Sequence, residues 1–120
     1  MMQSTLLADA YFRFIKLLET LEDAPSLPKL DCVERRLIEF IALHEVGKKP
    51  LLVSDVIYLN SIASPATLHR RISYLVDAGY IRHGADIDGR KKYLELTPKA
   101  MDYFSKLGKC IVKAAQAGKN

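Results

Sequence analysis

The side chains best suited to chemistry lie in residues 64–92, where hydroxyl, imidazole and guanidinium groups follow one another closely. Within this segment Leu68, Ile72 and Leu75 recur at helical spacing and form an apolar stripe, so the polar side chains project from the opposite side. Guanidinium and hydroxyl groups on one exposed helix face can hydrogen-bond to phosphates and to the base edges of duplex DNA. The candidate contact residues on this helix are Ser64, Ala66, Thr67, His69, Arg70, Arg71, Ser73 and Tyr74.

Two of these side chains, near the start of the helix, are the best suited to reading a base sequence. Arg70 can make a bidentate contact to guanine, and the methyl group of Thr67 can meet the methyl group of thymine. Other polar residues are expected to touch phosphates, which position a protein without reading sequence; these residues are His69, Arg71, Ser73 and Tyr74.

A second basic cluster, Arg90, Lys91 and Lys92, follows the turn signal Asp88-Gly89. Residues 80–83 and 92–96 are rich in strand formers, so they predict a β-hairpin with residues 84–91 as its loop and this cluster at the tip of the loop or just after it. An arginine there can exploit the negative potential of a narrow minor groove, while the two lysines hold the DNA backbone. An ordinary solvated surface is the alternative for all these basic residues, and their joint placement on a helix and a hairpin argues against it.

Capping signals mark the elements that position these residues. Ser64 is placed to cap the basic helix with Pro65 at its first position, and Gly79 is expected to end it. Ser54 is expected to cap a shorter helix that runs to Asn60 and buries Val56, Ile57 and Leu59. Residues 54–78 therefore have the length and the short turn of a helix-turn-helix.

Helices are also predicted at both ends of the chain. Residues 4 to about 22 carry a heptad-like apolar seam that is broad for one small domain, so this helix is predicted to pack in part against a second subunit. A core helix in a monomer is the alternative. The seam consists of Leu7, Tyr11, Phe14, Leu18 and Leu21.

Three further elements complete the predicted architecture. Asp31 should cap a helix that ends near Val46, and residues 51–53 are a short apolar run able to add a small strand. Thr97 and Pro98 should start a last helix that reaches about Ala117. The expectation is one domain over residues 1–120, with a helical support region (1–47), a core (51–97) and a C-terminal helix (98–117).

Charge is distributed unevenly along the 120 residues. The formal net charge is +4 with a pI near 9.1, which favours nucleic acid or an anionic surface only weakly. Residues 1–47 carry five basic and eight acidic side chains, a net charge of −3, whereas residues 48–120 carry thirteen and six, a net charge of +7. The positive charge thus belongs to the half of the chain that contains the basic helix and the basic hairpin.

Several classes of protein are disfavoured by the sequence. The three histidines lie on different predicted elements without a nucleophile, an acid pair or a glycine-rich phosphate loop, so we expect no catalytic residue, no cofactor and no enzyme. Cys32 and Cys110 lack a neighbouring metal-ligand motif, so no metal site is expected either. Charged residues interrupt the apolar residues of the N-terminal segment, so no signal peptide or membrane span is expected. The two distant cysteines give no disulfide framework, so a reduced, cytoplasmic and nucleoid-associated protein is expected.

The run Ser64-Pro65-Ala66-Thr67-Leu68-x-Arg70-x-Ile72-x-x-Leu75-x-x-x-Gly79-Tyr80-Ile81, followed by Asp88-x-Arg90 and Leu96-Thr97, resembles the multiple-antibiotic-resistance regulator (MarR) family of bacterial transcription factors. The resemblance covers about residues 51–100. It implies a homodimer joined by its N- and C-terminal helices, which adds Phe104 and Ile111 to the dimerisation residues. It also implies that the helices carrying Ser64, Thr67 and Arg70 enter successive major grooves while Arg90 enters the flanking minor groove.

The sequence departs from that family in two respects. Lys91 and Lys92 stand where the family often carries a second aspartate after the wing arginine, and one helix follows the hairpin where the family commonly has two. The second departure concerns the dimer geometry and the inter-helix pocket that binds small aromatic effectors in some members. A small-molecule effector is therefore left open as a partner, without an identity, and so is redox control through Cys32.

The sequence as a whole predicts a mainly α fold with a small β-hairpin, a winged helix-turn-helix with N- and C-terminal dimerisation helices. The expected function is sequence-specific binding of double-stranded DNA as a homodimeric transcriptional regulator. The alternative is a winged-helix module for protein–protein contact or for a replication or partition assembly.

Overall fold

The computed structural model describes residues 2–46, 51–58, 61–85 and 92–116, and their fold is mainly helical with one β-hairpin. This agrees with the predicted fold class. The elements in chain order are α1 (Met2–Asp23), α2 (Cys32–Val46), α3 (Val53–Ile57), α4 (Pro65–Asp77), β1 (Ile81–Ala85), β2 (Lys92–Leu96) and α5 (Pro98–Gln116). None of the described helices is both long enough and apolar enough to cross a membrane.

The chain divides into two compact units. One comprises Met1–Lys29 with Asp102–Asn120, and the other comprises Leu30–Met101. The expectation of a single domain stays a prediction.

The core of the Leu30–Met101 unit is built from the apolar faces of α2, α3 and α4 together with alternate residues of the hairpin. Every third or fourth residue of a helix and every second residue of a strand faces inward, so these elements can share one interior. Its most deeply buried side chains are Leu37, Ile38, Ile41, Val56, Leu68, Leu75, Ile81 and Leu94.

Helix α2 begins as predicted, with a reciprocal cap at its N-terminus. The backbone N–H of Glu34 donates to Asp31 Oδ1 at 2.8 Å, and the N–H of Asp31 donates to Glu34 Oε1 at 2.9 Å. This capping box satisfies two N–H groups that have no partner within the helix.

The prediction that Ser54 caps α3 is wrong, because the N-cap is Leu52 and the helix starts two residues earlier than predicted. Asp55 Oδ2 accepts the backbone N–H of Leu52 at 3.0 Å, so the turn closes on Leu52 and Ser54 lies inside the helix. The predicted strand at 51–53 is reduced to a bridge: Leu52 pairs with Tyr93, and the N–H of Leu94 donates to the Leu51 carbonyl at 2.8 Å. Helix α3 ends at Ile57 rather than near Asn60, and Leu59 and Asn60 lie outside the described residues.

Helix α4 has both predicted ends. Ser64 Oγ accepts the N–H of Thr67 at 3.3 Å, and Pro65 occupies the first helical position. Gly79 follows the helix with a φ of +87°, a left-handed conformation that glycine adopts without steric cost.

Strands β1 and β2 pair antiparallel, from Ile81 opposite Leu96 to Ala85 opposite Lys92. Strand β1 starts one residue later and ends two residues later than predicted, so residues 84 and 85 belong to the strand rather than to the loop. The rest of the predicted loop, residues 86–91, lies outside the described residues.

Thr97 joins the end of α4, the start of β1 and the start of α5. Its hydroxyl lies within hydrogen-bonding distance of the Gly79 and Tyr80 carbonyls and accepts the N–H of Ala100 at 3.4 Å. Its own N–H donates to the Tyr80 carbonyl at 3.2 Å. The predicted cap of the last helix is therefore present and also anchors the base of the hairpin.

In the other unit, α1 and most of α5 are joined by Arg13, whose Nε and Nη2 donate to the Ala114 carbonyl at 3.2 and 3.1 Å. The side of α5 buried in this unit carries Tyr103, Cys110 and Ala114. Large apolar residues elsewhere on these two helices are more than half exposed: Leu6, Leu7, Tyr11, Phe12, Ile111 and Val112.

Candidate nucleic-acid interface

The polar face of α4, defined by Ala66, Thr67, His69, Arg70, Ser73, Tyr74 and Asp77, is open to solvent except at Thr67, which is half-buried. Leu68, Ile72 and Leu75 point inward and are at most 4% exposed, so the sequence period assigned the two sides of the helix correctly. Tyr74 is 46% exposed, which leaves a large part of an aromatic side chain available on this face.

Hydrogen bonds link the side chains at the start of α4. Ser64 Oγ donates to Thr67 Oγ1 at 3.0 Å, and Arg70 Nη2 lies 3.4 Å from the same oxygen. The Arg70 guanidinium is thus held over the first turn of the helix, beside Thr67. The structure brings together the two side chains that the sequence selects as readers of bases.

Arg71 occupies a different environment from Arg70. Its Nη1 lies 2.9 Å from Asp31 Oδ2 and 2.9 Å from Glu34 Oε2, both at the N-terminus of α2. The Arg71 side chain is 39% exposed, and its guanidinium has two carboxylate partners within the protein. Sequence reasoning missed this cluster, because the helical spacing places Arg71 on a flank of α4 without showing that Asp31 and Glu34, on a helix distant in sequence, face that flank. The expected phosphate contact of Arg71 stays a prediction.

A groove of about 400 Å³ runs beside the polar face of α4 and reaches the hairpin. His69, Ser73 and Asp77 of α4 line this groove together with His83 of β1. His83 is exposed, and the sequence reasoning did not include it among the contact residues. The signal that could have identified it is its place in a strand that directly follows the basic helix.

The stem of the hairpin carries an ion pair between Arg82 and Glu95. Arg82 Nε lies 3.0 Å from Glu95 Oε2, with both side chains largely exposed. The Glu95 carboxylate crosses directly over Gly84, where an added Cβ would collide with it. Of the predicted wing residues, Lys92 begins β2, whereas Arg90 and Lys91 lie outside the described residues.

The described residues contain no group of three or more His, Cys, Asp or Glu side chains that could hold a metal ion. His44 contacts its own helix: its Nδ1 lies 3.1 Å from the Phe40 carbonyl, and its ring packs on the Phe40 ring with 4.3 Å between centroids. The two cysteines are free, with Cys32 exposed and Cys110 buried.

The residues predicted to form the dimer interface differ in exposure. Leu7, Tyr11 and Ile111 are exposed, whereas Phe14, Leu18, Leu21 and Phe104 are half-buried.

Solved structures with the same fold include several bacterial transcriptional regulators. A probable transcriptional regulator from Pseudomonas aeruginosa superposes with a TM-score of 0.54 at 21% identity, over 92% of this chain and 80% of its own. A MarR-like transcriptional regulator from Thermotoga maritima gives a TM-score of 0.61 at 16% identity, over 98% and 79%. The heme sensor protein PefR from Streptococcus agalactiae, solved in complex with heme, gives 0.55 at 15% identity, over 98% and 78%.

No protein-family model and no curated protein matches the sequence. The arrangement of α3, α4 and the β1–β2 hairpin is that of a winged helix-turn-helix. More narrowly, the chain has the MarR-like winged-helix fold, as the resemblance of its sequence predicted.

Proposed function

We propose that this protein binds double-stranded DNA sequence-specifically as a homodimeric transcriptional regulator. Helix α4 enters the major groove, and the hairpin contacts the adjacent minor groove. The observation that carries the proposal is the polar face of α4, where Arg70 and Thr67 lie together on an exposed helix of a MarR-like winged-helix fold.

The chemistry of this face suits a DNA duplex. A major groove admits one α-helix, and the side chains near the N-terminus of a recognition helix commonly reach the base edges. Arg70 offers a bidentate donor for guanine and Thr67 offers a methyl group for thymine. Ser64, Ala66, His69, Ser73 and Tyr74 surround them as candidate backbone contacts.

The hairpin supplies the second contact in this proposal. Arg90 is assigned to the minor groove, with Lys91 and Lys92 on the phosphates, because the three residues are consecutive in sequence, Lys92 begins β2, and together they add three positive charges.

The exposed apolar residues of α1 and α5 support a homodimer. Leu7, Tyr11 and Ile111 are 72%, 60% and 59% exposed, and large apolar side chains exposed to this extent favour an interaction surface on these helices. In a two-fold dimer the same patch on each copy can cover the other, and two α4 helices then read two half-sites.

Selection of bound duplexes from a random pool, read at two salt concentrations, tests this function. We expect enrichment of a palindromic site and an affinity that falls steeply as salt rises, since each phosphate contact releases counterions. Salt-dependent binding without an enriched sequence would contradict sequence-specific recognition. No salt-dependent binding to any duplex at low salt would instead favour the winged-helix module for protein–protein contact or for a replication or partition assembly.

A further inference from the structure

The Glu34 carboxylate in the Leu30–Met101 unit is buried at the N-terminus of α2, beside Arg71 of α4. Glu34 is 4% exposed, whereas Asp31, the other acid of the same cluster, has a side chain that is 41% exposed. A buried carboxylate is stable only when hydrogen bonds or a positive charge compensate for the loss of water. Glu34 has both: Oε1 accepts the N–H of Asp31, and Oε2 lies 2.9 Å from Arg71 Nη1.

The contact between Glu34 and Arg71 bears on the orientation of α4, because Arg71 lies on the same helix as the proposed base-reading residues. Arg71 directly follows Arg70, so any rotation of α4 about its axis moves both side chains together. Close packing of the apolar residues on the inner side of α4 holds the helix in the core, and the short charged hydrogen bond of Arg71 adds a directional contact that links α4 to α2. Arg71 Nε is also buried without a hydrogen-bond partner, so the side chain keeps this position at the expense of one donor.

We infer that Glu34 is a positioning residue for DNA recognition: it holds Arg71 on α2 and thereby sets the rotation of α4 that presents Arg70 and Thr67. The inference rests on the proposed function. A second consequence is electrostatic, because an arginine bound to two carboxylates is withheld from the DNA phosphates. Glu34 thus favours the preferred sequence over random DNA, although it does not touch DNA itself.

Glu34→Gln tests this role, because glutamine also suits the third position of a capping box and the change removes one of the two negative charges that bind Arg71. We expect the ratio of affinities for the selected duplex and a random duplex to fall by about three- to tenfold, as for a misplaced base contact. With Glu34 neutral, only the more exposed Asp31 still pairs with Arg71, so Arg71 can exchange this partner for a DNA phosphate. The slope of log affinity for random duplex against log salt should therefore steepen, by at most about 0.9 per bound chain.

Glu39→Gln is the matched control, since it removes the same charge from an exposed position of the same helix. It should leave both the ratio and the slope unchanged. In an Arg71→Met background, Glu34→Gln should have no further effect on the slope, whereas a purely structural effect of Glu34 would persist there. An unchanged ratio and slope in Glu34→Gln, or an equal effect in the Arg71→Met background, would overturn the inference.

Asp31→Asn is the second variant if Glu34→Gln does not fold, because asparagine is also a good N-cap and the change removes the other partner of Arg71. It should shift the slope in the same direction by a smaller amount, and no shift would overturn the inference. A wild-type protein without salt-dependent DNA binding would refute the proposed function itself. Normal wild-type preference with unaffected variants would refute only the role of Glu34.

Discussion

Arg70 and Arg71 are adjacent in sequence but have different surroundings. Arg70 lies over the first turn of α4 beside Thr67, whereas Arg71 is bound to Asp31 and Glu34. On the proposed function, Arg70 reads bases, and a lysine at the start of β2 contacts only the DNA backbone. The two kinds of contact differ in how a substitution affects different DNA sequences.

Arg70→Ala is expected to cost about 1–3 kcal/mol of binding free energy at the preferred duplex and to relax the preference at the contacted base pair. Lys92→Ala, the comparison variant, should weaken binding to all duplexes about equally and reduce the salt slope by about 0.9 per bound chain. Titration of labelled selected and random duplexes at several salt concentrations measures both. Equal losses on both duplexes for both variants would contradict these roles.

The sequence period was enough to place Arg70 and Thr67 on one exposed face, because a helix exposes the residues opposite its apolar stripe. The same reasoning could not place Arg71, since its partners come from another helix and depend on tertiary packing. For Glu34, the spacing from Asp31 indicates the third residue of a capping box, but the burial of its side chain depends on tertiary packing and cannot be predicted from that spacing.

Among the elements, those with strong local signals were predicted well. Ser64, Pro65 and Gly79 define α4 by hydrogen bonding and backbone geometry within a few residues, so its two ends were correct. Helix α3 has competing signals, since Asp55 can close the turn on Leu52 as readily as Ser54 can cap it. Pairing of Leu52 with Tyr93 then keeps the preceding residues extended, and that pairing is tertiary.

Two glycines provide a matched test of backbone geometry. Gly79→Ala should destabilise the protein by about 1 kcal/mol, because alanine is strained at a φ of +87° although the nearest side-chain atom, Lys99 Cδ, is 3.8 Å from the added Cβ. Gly108→Ala in α5 should stabilise it by about 0.5–1 kcal/mol, since the added methyl group meets nothing within 4 Å and alanine favours helix. Chemical denaturation measures both changes, and the same sign for the two would contradict this account.

For the molecule as a whole, helices α1 and α5 expose several large apolar side chains. The heptad-like seam of α1 predicted a subunit contact, and its N-terminal residues Leu7 and Tyr11 are exposed, whereas Phe14, Leu18 and Leu21 are half-buried. Sequence alone could not make this division, because a seam has the same period whether it faces its own chain or another.

Leu7→Glu should therefore shift the protein from dimer to monomer. A two-fold interface contains the substitution twice, so the loss of about 1.5 kcal/mol per leucine weakens dimerisation by about 3 kcal/mol, or about 100-fold. Sedimentation equilibrium measures this, and the dependence of Tm on protein concentration should disappear with the dimer. Leu43→Glu is the control, since Leu43 is equally exposed at 72% but lies on α2, outside the predicted interface. A variant dimer as tight as wild type would contradict the predicted interface.

The hydroxyl of Thr97 couples the local unfolding of neighbouring elements. Because it links the carbonyls of Gly79 and Tyr80 to the first turn of α5, the end of α4 and the base of the hairpin should open to solvent together, as one cooperative unit. The amides of Tyr80 and Ala100 should then exchange their hydrogens at similar rates. Thr97→Val, which removes about 1 kcal/mol of hydrogen bonding, should accelerate both by about fivefold. Acceleration of only one amide would show that the two elements open independently.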